Sequence, residues 1–306
     1  MLWLAWPMTD TPPRIFDTGL ACRHLARALR KGGEDFLLAH AATEICERLT
    51  AIQRPFRAIL DCGTPNARLA EQLAAHLQPP LLIRMMPLPA AANQNAIPSF
   101  AGEMENLALA PAKFDLAVSA LALQAVNDLP GALLQLRLVL KPDGLFIGCL
   151  LGGASLQELR TALAAAETEI YGGVSPRIAP FADVRAMGGL LQRAGFALPV
   201  ADSETLTVRY ANMFGLIADL RAMGAANALI ARRRVPVGKR FFSRAAEIYA
   251  QKFADSDSRV RATFELIYLS GWAPHESQQK PLAPGSAKMR LADALKTKPF
   301  PDTGSQ

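Results

Sequence analysis

Apolar residues return at helical spacing from Phe16 to Lys31 and again from Glu34 to Ile52, with Gly32-Gly33 between them, so two helices open the chain. The apolar run Phe56-Arg57-Ala58-Ile59-Leu60-Asp61 predicts a short buried strand. A turn region over Cys62 to Asn66 and a helical pattern from Ala67 to Leu77 make that strand the head of a strand-loop-helix unit. Further strands are predicted at Leu81-Leu82-Ile83, around Ile97 to Phe100, at Phe114 to Ser119 and at Leu145 to Leu150. A helix over Leu129 to Leu140 and a tight turn at Lys141-Pro142-Asp143-Gly144 precede the last of these. Strands alternating with helices imply parallel pairing through right-handed crossovers.

In the second half, helical patterns cover Ser155 to Tyr171, Phe181 to Ala194, Asn212 to Met223 and Arg240 to Phe253, with strands at Thr205 to Tyr210 and Ala262 to Leu269. The helices between those two strands read as an insertion, about 211–255, before the strand that finishes the sheet. The expected architecture is α/β: a seven-stranded, mostly parallel, Rossmann-like sheet with N-terminal helices, in one domain over 14–273. Residues 1–13 read as an N-terminal extension; Met1 to Trp6 are apolar but lack the basic flank of a signal peptide. Residues 274–306, rich in proline, glycine and polar side chains, read as an irregular tail.

Composition narrows the class. With 51% hydrophobic residues in 306, the chain can bury a sizeable core. Its 33 Lys+Arg against 27 Asp+Glu give +6, but the charges are spread out, so nucleic acid is not an expected partner. The tightest basic run, Arg232-Arg233-Arg234 followed by Lys239 and Arg240, suits a solvated turn beside a helix. A docking face for phosphates, an acidic carrier protein or a protein partner is the lesser alternative. Cys22, Cys46, Cys62 and Cys149 are widely spaced, which fits a reducing cytoplasm and no disulfide framework. No apolar run approaches the roughly 18 residues of a spanning helix. His24, His40, His76 and His275 are isolated, so no metal site is expected, and neither a Gly-x-Ser-x-Gly elbow nor a P-loop occurs.

Three segments carry a resemblance: Ile59-Leu60-Asp61-Cys62-Gly63, Phe114 to Ser119, and Leu138-Val139-Leu140-Lys141-Pro142-Asp143-Gly144 together resemble the type 11 domain of class I S-adenosylmethionine (SAM) dependent methyltransferases. Downstream, Val126-Asn127-Asp128-Leu129-Pro130, Gly152-Gly153 with Leu156 to Arg160, Ser175-Pro176-Arg177 with Pro180-Phe181, Arg193-Ala194-Gly195-Phe196 and Trp272-Ala273-Pro274-His275-Glu276-Ser277-Gln278 are more specific. From Arg14 to Ala287 they look like bacterial relatives of the mitochondrial complex I assembly factor 5. The helical insertion is also similar to malonyl-[acyl-carrier-protein] methyltransferases, but the Trp-Ala-Pro-His-Glu-Ser-Gln segment favours the assembly-factor group. That resemblance implies a SAM-binding fold acting on a protein partner, possessing a mitochondrial member linked to arginine hydroxylation of a complex I subunit.

For the cofactor, the resemblance implies Asp61 and Gly63 at the first strand, Glu103 beside the adenine amine, Met104 or Leu107 lining that pocket, and Ser119 at the end of the fourth strand. A glycine-rich loop lets the backbone approach SAM closely. Here, however, the next two glycine positions are Pro65 and Ala67; Pro65 fixes φ and removes a donor, and both narrow the loop. The second strand, where the family has a carboxylate for the ribose hydroxyls, runs into Arg84-Met85-Met86-Pro87, leaving Asn93 and Asn95 as polar candidates nearby. Lost charge-assisted bonds at about 1.5 to 3 kcal/mol each predict SAM affinity lowered by roughly ten- to a few hundredfold. The family's His-Trp pair after the fourth strand is Gln124-Ala125, which removes an aromatic wall.

The downstream residues Arg177, Arg209, Tyr210, Asn227, Trp272, His275, Glu276 and Gln278 suit either capture of a partner peptide or plain structural roles. No catalytic residue is singled out, because methyl transfer needs chiefly proximity and alignment. The expected function is a SAM-dependent methyltransferase-like protein acting on a protein partner in complex I assembly. The rivals are a weak or inactive fold serving as an assembly chaperone, and an acyl-carrier-protein-directed O-methyltransferase.

Overall fold

The computed structural model describes residues 14–88 and 97–279. The N-terminal extension at 1–13, Asn93, Asn95 and the tail beyond 279 lie outside the described residues. Two helices, α1 (Thr18–Arg30) and α2 (Phe36–Thr50), precede β1 (Ala58–Cys62), α3 (Arg68–Leu77), β2 (Leu81–Met86), β3 (Ser99–Ala101) and β4 (Phe114–Ala120). There follow α4 (Leu129–Val139), β5 (Leu140–Leu151), α5 (Gln157–Tyr171), α6 (Val184–Arg193), β6 (Ala197–Tyr210), α7 (Met213–Ala222), α8 (Lys239–Phe253) and β7 (Val260–Trp272).

Helix starts follow local chemistry. Asp17, Asp128, Asp183 and Asn212 each accept from a backbone N–H of the first turn, satisfying donors that have no partner inside the helix. Pro130 sits in the first turn of α4, where a missing N–H does no harm.

The seven strands form one sheet in the order β3-β2-β1-β4-β5-β7-β6. β1 to β5 pair in parallel and β7 lies antiparallel between β5 and β6, so the protein has the expected α/β, mostly parallel, Rossmann-like architecture. Strand residues alternate between two cores. Ile59, Leu116, Val118, Leu145 and Ile147 pack under α2 and α3, whereas Leu60, Ala117 and Phe146 pack under α4 and α6. Each of the larger side chains contributes about 1.5–3 kcal/mol, and a one-residue slip would turn every one of them to the wrong face. A third core joins α5, α7 and α8 to the outer end of β7.

Three boundaries differ from the sequence expectation. β6 begins at Ala197 and not at Thr205, because Val200 to Tyr210 pair continuously with β7. Arg84-Met85-Met86 belongs to β2 and does not follow it, since Arg84 and Met85 pair with both β1 and β3 and Met86 pairs with β3. The Lys141 to Gly144 turn is a bulge within β5: Phe114 faces Leu140 while Leu116 faces Leu145, and Asp143 takes a left-handed φ of 61°. Residues from His275 form a separate unit, whose described part is a turn in which His275 N donates to Gln278 Oε1 at 3.1 Å.

Candidate active site

Between β1 and β4 the order of connection reverses, and a cavity of about 540 Å3 opens there beyond the carboxyl ends of the strands. That volume suits a small-molecule ligand. Its floor is the loop after β1 with Met85 and Pro87 of the β2 end; Gly102 to Glu105 and Leu121 to Val126 form the sides. Phe16 to Leu25, Ile178 to Phe181 and Leu220 to Leu229 close it from above.

The floor is built around an ion pair. Arg84 lies opposite Asp61 in the β1–β2 register, and its Nε donates to Asp61 Oδ2 at 3.1 Å. Nη2 of Arg84 donates to the carbonyls of Thr64 and Asn66, so one guanidinium satisfies the inner side of the loop that follows β1. Thr64 Oγ1 accepts from Ala120 N at 3.2 Å and ties the loop to β4. Gly63, at φ +79°, turns the chain into this loop, with its N–H donating to Met85 O at 2.8 Å. Burial pushes the Asp61 carboxyl up to about 6 while Arg84 and Thr64 pull it down, leaving it ionised and paired at neutral pH. Burial also pushes the Cys62 thiol well up, and its Sγ touches Met104 Sδ at 3.3 Å.

Of the residues the resemblance implied, Gly63, Glu103 and Met104 line the cavity. Asp61, 1% exposed, and Ser119, 0% exposed, lie within strands and off the lining; Ser119 Oγ has no protein partner. A Cβ placed on Gly63 would meet Met104 Sδ at 2.8 Å and Ala122 Cβ at 3.0 Å, so Met104 already covers that glycine. Pro65 is on the lining, and Ala67 is buried. Met85 presents a thioether where the resemblance implies a ribose carboxylate. Glu103 is exposed at the rim. Gln124 Nε2 donates to Leu121 O and its buried Oε1 has no partner; the residue lines both this cavity and a neighbouring one of about 260 Å3.

These side chains differ from the pattern that the resemblance implies for a SAM site. One carboxylate is consumed by Arg84, a second is a methionine, and the space over the loop glycine is filled. Glu103 alone keeps the expected polar position.

Several residues that sequence reading passed over or left open shape the site's roof. Asn127 Oδ1 accepts from Ile15 N and Phe16 N, both at 2.8 Å, and its own N–H donates to Glu105 Oε1, which pins the segment before α1 across the cavity. Glu167, on α5 and nearly fully buried, accepts from both Ser175 and Arg177. Burial opposes its charge, but Arg177 and Ser175 hold the carboxyl below the ordinary range. Asn227 Nδ2 donates to Pro176 O, joining two roof segments. Among Arg177, Arg209, Tyr210, Asn227 and Trp272, only Asn227 is on the lining. In the basic run, Arg232 bonds Leu229 O and Asp17, and Arg233 stacks on Tyr171 at 4.3 Å; Arg234, Lys239 and Arg240 are exposed.

Strand order and cavity position define a methyltransferase fold of the Rossmann-like class. A methyltransferase domain family matches residues 60–148. The fold is shared with BH2331 from Bacillus halodurans C-125, a methyltransferase-like protein, at TM-score 0.52, 14% identity and coverage of 76% of this chain and 98% of that one. Arginine-hydroxylase NDUFAF5, mitochondrial, of Danio rerio is 36% identical over 266 residues, covering 86% of this chain and 83% of that protein. The human protein of the same name is 36% identical over 297 residues, 94% and 86% of the two chains. Malonyl-[acyl-carrier protein] O-methyltransferase of Xylella fastidiosa (strain M23) is 31% identical over 270 residues, 85% and 89%. The chain belongs to the arginine-hydroxylase NDUFAF5 family. Among its described residues no helix is long and apolar enough to cross a membrane.

Proposed function

We propose that this protein serves respiratory complex I assembly by binding a protein partner in the cytoplasm, with the methyltransferase fold kept as a scaffold and its SAM use weakened. The observation that carries this reading is the buried Asp61–Arg84 pair, which spends the β1 carboxylate inside the protein. Met85 and Pro65 at the lining support it.

Calorimetric titration of the full chain with SAM and S-adenosylhomocysteine tests the reading. A dissociation constant in the high micromolar range or weaker is expected; micromolar or tighter binding overturns it. A pull-down is expected to recover a complex I subunit, and recovery of acyl carrier protein instead would favour the carrier-directed reading. Against that reading stand Arg232 and Arg233, whose guanidiniums are engaged within the chain.

The second reading is modification of an arginine on the partner, the activity in the relatives' name. Glu103 favours it, as an exposed carboxylate at the cavity rim able to pair with a guanidinium. Glu103→Gln is then expected to weaken capture of an arginine-bearing partner peptide, while a lysine-bearing control is affected less.

A further inference from the structure

The corner of the cavity at Gly63 holds an unusual concentration of sulfur. Met104 Sδ lies within 2.8 Å of where a Gly63 Cβ would stand, Met104 Cγ within 3.3 Å, and Cys62 Sγ touches the same thioether at 3.3 Å. Met85 packs its Cγ and Sδ against Gly102 on the adjoining wall. Gly63 takes a left-handed φ of +79°, and the space where a side chain would stand is occupied by the protein's own thioether.

We propose that Met104 determines what this cavity accepts. By standing over Gly63 it excludes nucleoside thioethers and sulfoniums from the inner corner, and leaves to a ligand the apolar space beneath α1 and residues 220–229. This inference rests on the reading that SAM use is weakened, and it assigns the weakening to a side chain that can be removed. Methionine is adaptable, so a nucleoside can displace it only by giving up the contacts it makes beside Gly63 and with Cys62. A residue of equal volume and different chemistry keeps the exclusion; a smaller one lifts it.

The test is calorimetric titration of the full chain and its variants with S-adenosylhomocysteine and 5′-methylthioadenosine. Met104→Ala is expected to bind both at least about tenfold tighter than the unmodified protein, and Met104→Leu to bind them as the unmodified protein does. Met104→Val, which removes less volume, carries the test should the alanine variant unfold. Equal or weaker affinity in a folded Met104→Ala or Met104→Val variant overturns the inference, and so does a gain of the same size in Met104→Leu. Tight SAM binding by the unmodified chain overturns the weakened-cofactor reading and the exclusion with it, whereas a weakly binding parent with no gain in the variants overturns the exclusion alone. The two failures are separate, because one is read from the parent's affinity and the other from the ratio between variant and parent.

Discussion

Arg84 and Asp61 face each other across the parallel β1–β2 pair, each side chain 1% exposed, at an Nε to Oδ2 distance of 3.1 Å. Desolvating two charges offsets much of their attraction, so the pair adds little net stability while its halves depend on each other. Arg84→Met is therefore expected to destabilise by about 3–5 kcal/mol, since it leaves Asp61 as a buried unpaired charge and also strips donors from Thr64 O and Asn66 O. Replacing both, Asp61→Leu with Arg84→Met, is expected to recover a substantial part of that loss. Urea unfolding midpoints of the two variants check this; a double variant no more stable than Arg84→Met counts against it.

The same carboxylate gives a pH signature. Its folded pKa, about 6, lies above the ordinary 3.8, so the native state binds the proton more tightly than the unfolded chain does. Its contribution to stability is accordingly fully present below about pH 3.8 and is lost as pH rises through about 6. Asp61→Asn is expected to flatten the stability profile between those two values, measured as the change in unfolding free energy relative to the unmodified protein. An unchanged slope would mean that Asp61 titrates normally in the folded state.

The architecture was legible because it is written in short-range pattern. Runs such as Ile59-Leu60 and Phe114 to Ser119 signal buried strands by their own composition, and the Lys-Pro-Asp-Gly segment signals a reversal whether it becomes a turn or a bulge. The start of β6 was not legible, because Ala197 to Glu204 includes Pro199 and three polar residues and is made a strand by pairing with β7. The site was legible in its residues and not in its contacts. Gly63, Glu103 and Met104 could be assigned to the cavity by resemblance, but Arg84 reads in sequence only as a missing carboxylate. Its role depends on the β1–β2 register, which places it beside a residue 23 positions earlier. Met104 over Gly63 is likewise a long-range contact that no local pattern encodes.

Gly63 is constrained twice, by a φ of +79° and by the Met104 thioether above it. Gly63→Ala is expected to destabilise by about 1–3 kcal/mol, partly through the left-handed backbone and partly through the clash. Adding Met104→Ala relieves the clash and leaves the backbone term. A double-mutant cycle is therefore expected to show a coupling of about 0.5 kcal/mol or more, with the pair less damaging than the sum of its parts. Additivity within error would show that Met104 swings aside at no cost.

Glu167 and Arg177 decide whether the roof segment from Gly172 to Phe181 stays in place. The carboxylate is 1% exposed and the guanidinium 18%, so Arg177→Ala leaves Glu167 buried with only the Ser175 donors and also removes the cation stacked 4.3 Å from the Phe241 ring centroid. Partial exposure of the arginine lowers the expected loss below that of a fully buried pair, to about 2–4 kcal/mol. Because the Glu167 pKa is depressed on folding, its stabilisation is present above the ordinary 4.5 and is lost as pH falls through the lower folded value. Glu167→Gln is therefore expected to be most damaging near neutral pH and nearly harmless in acid. Hydrogen exchange separates a local from a global effect: loss of protection at 172–181 and along the adjoining 176–227 contact, with the strands still protected, is the outcome expected for Arg177→Ala. Uniform loss of protection across β1, β4 and β5 would instead make this ion pair part of the global folding unit.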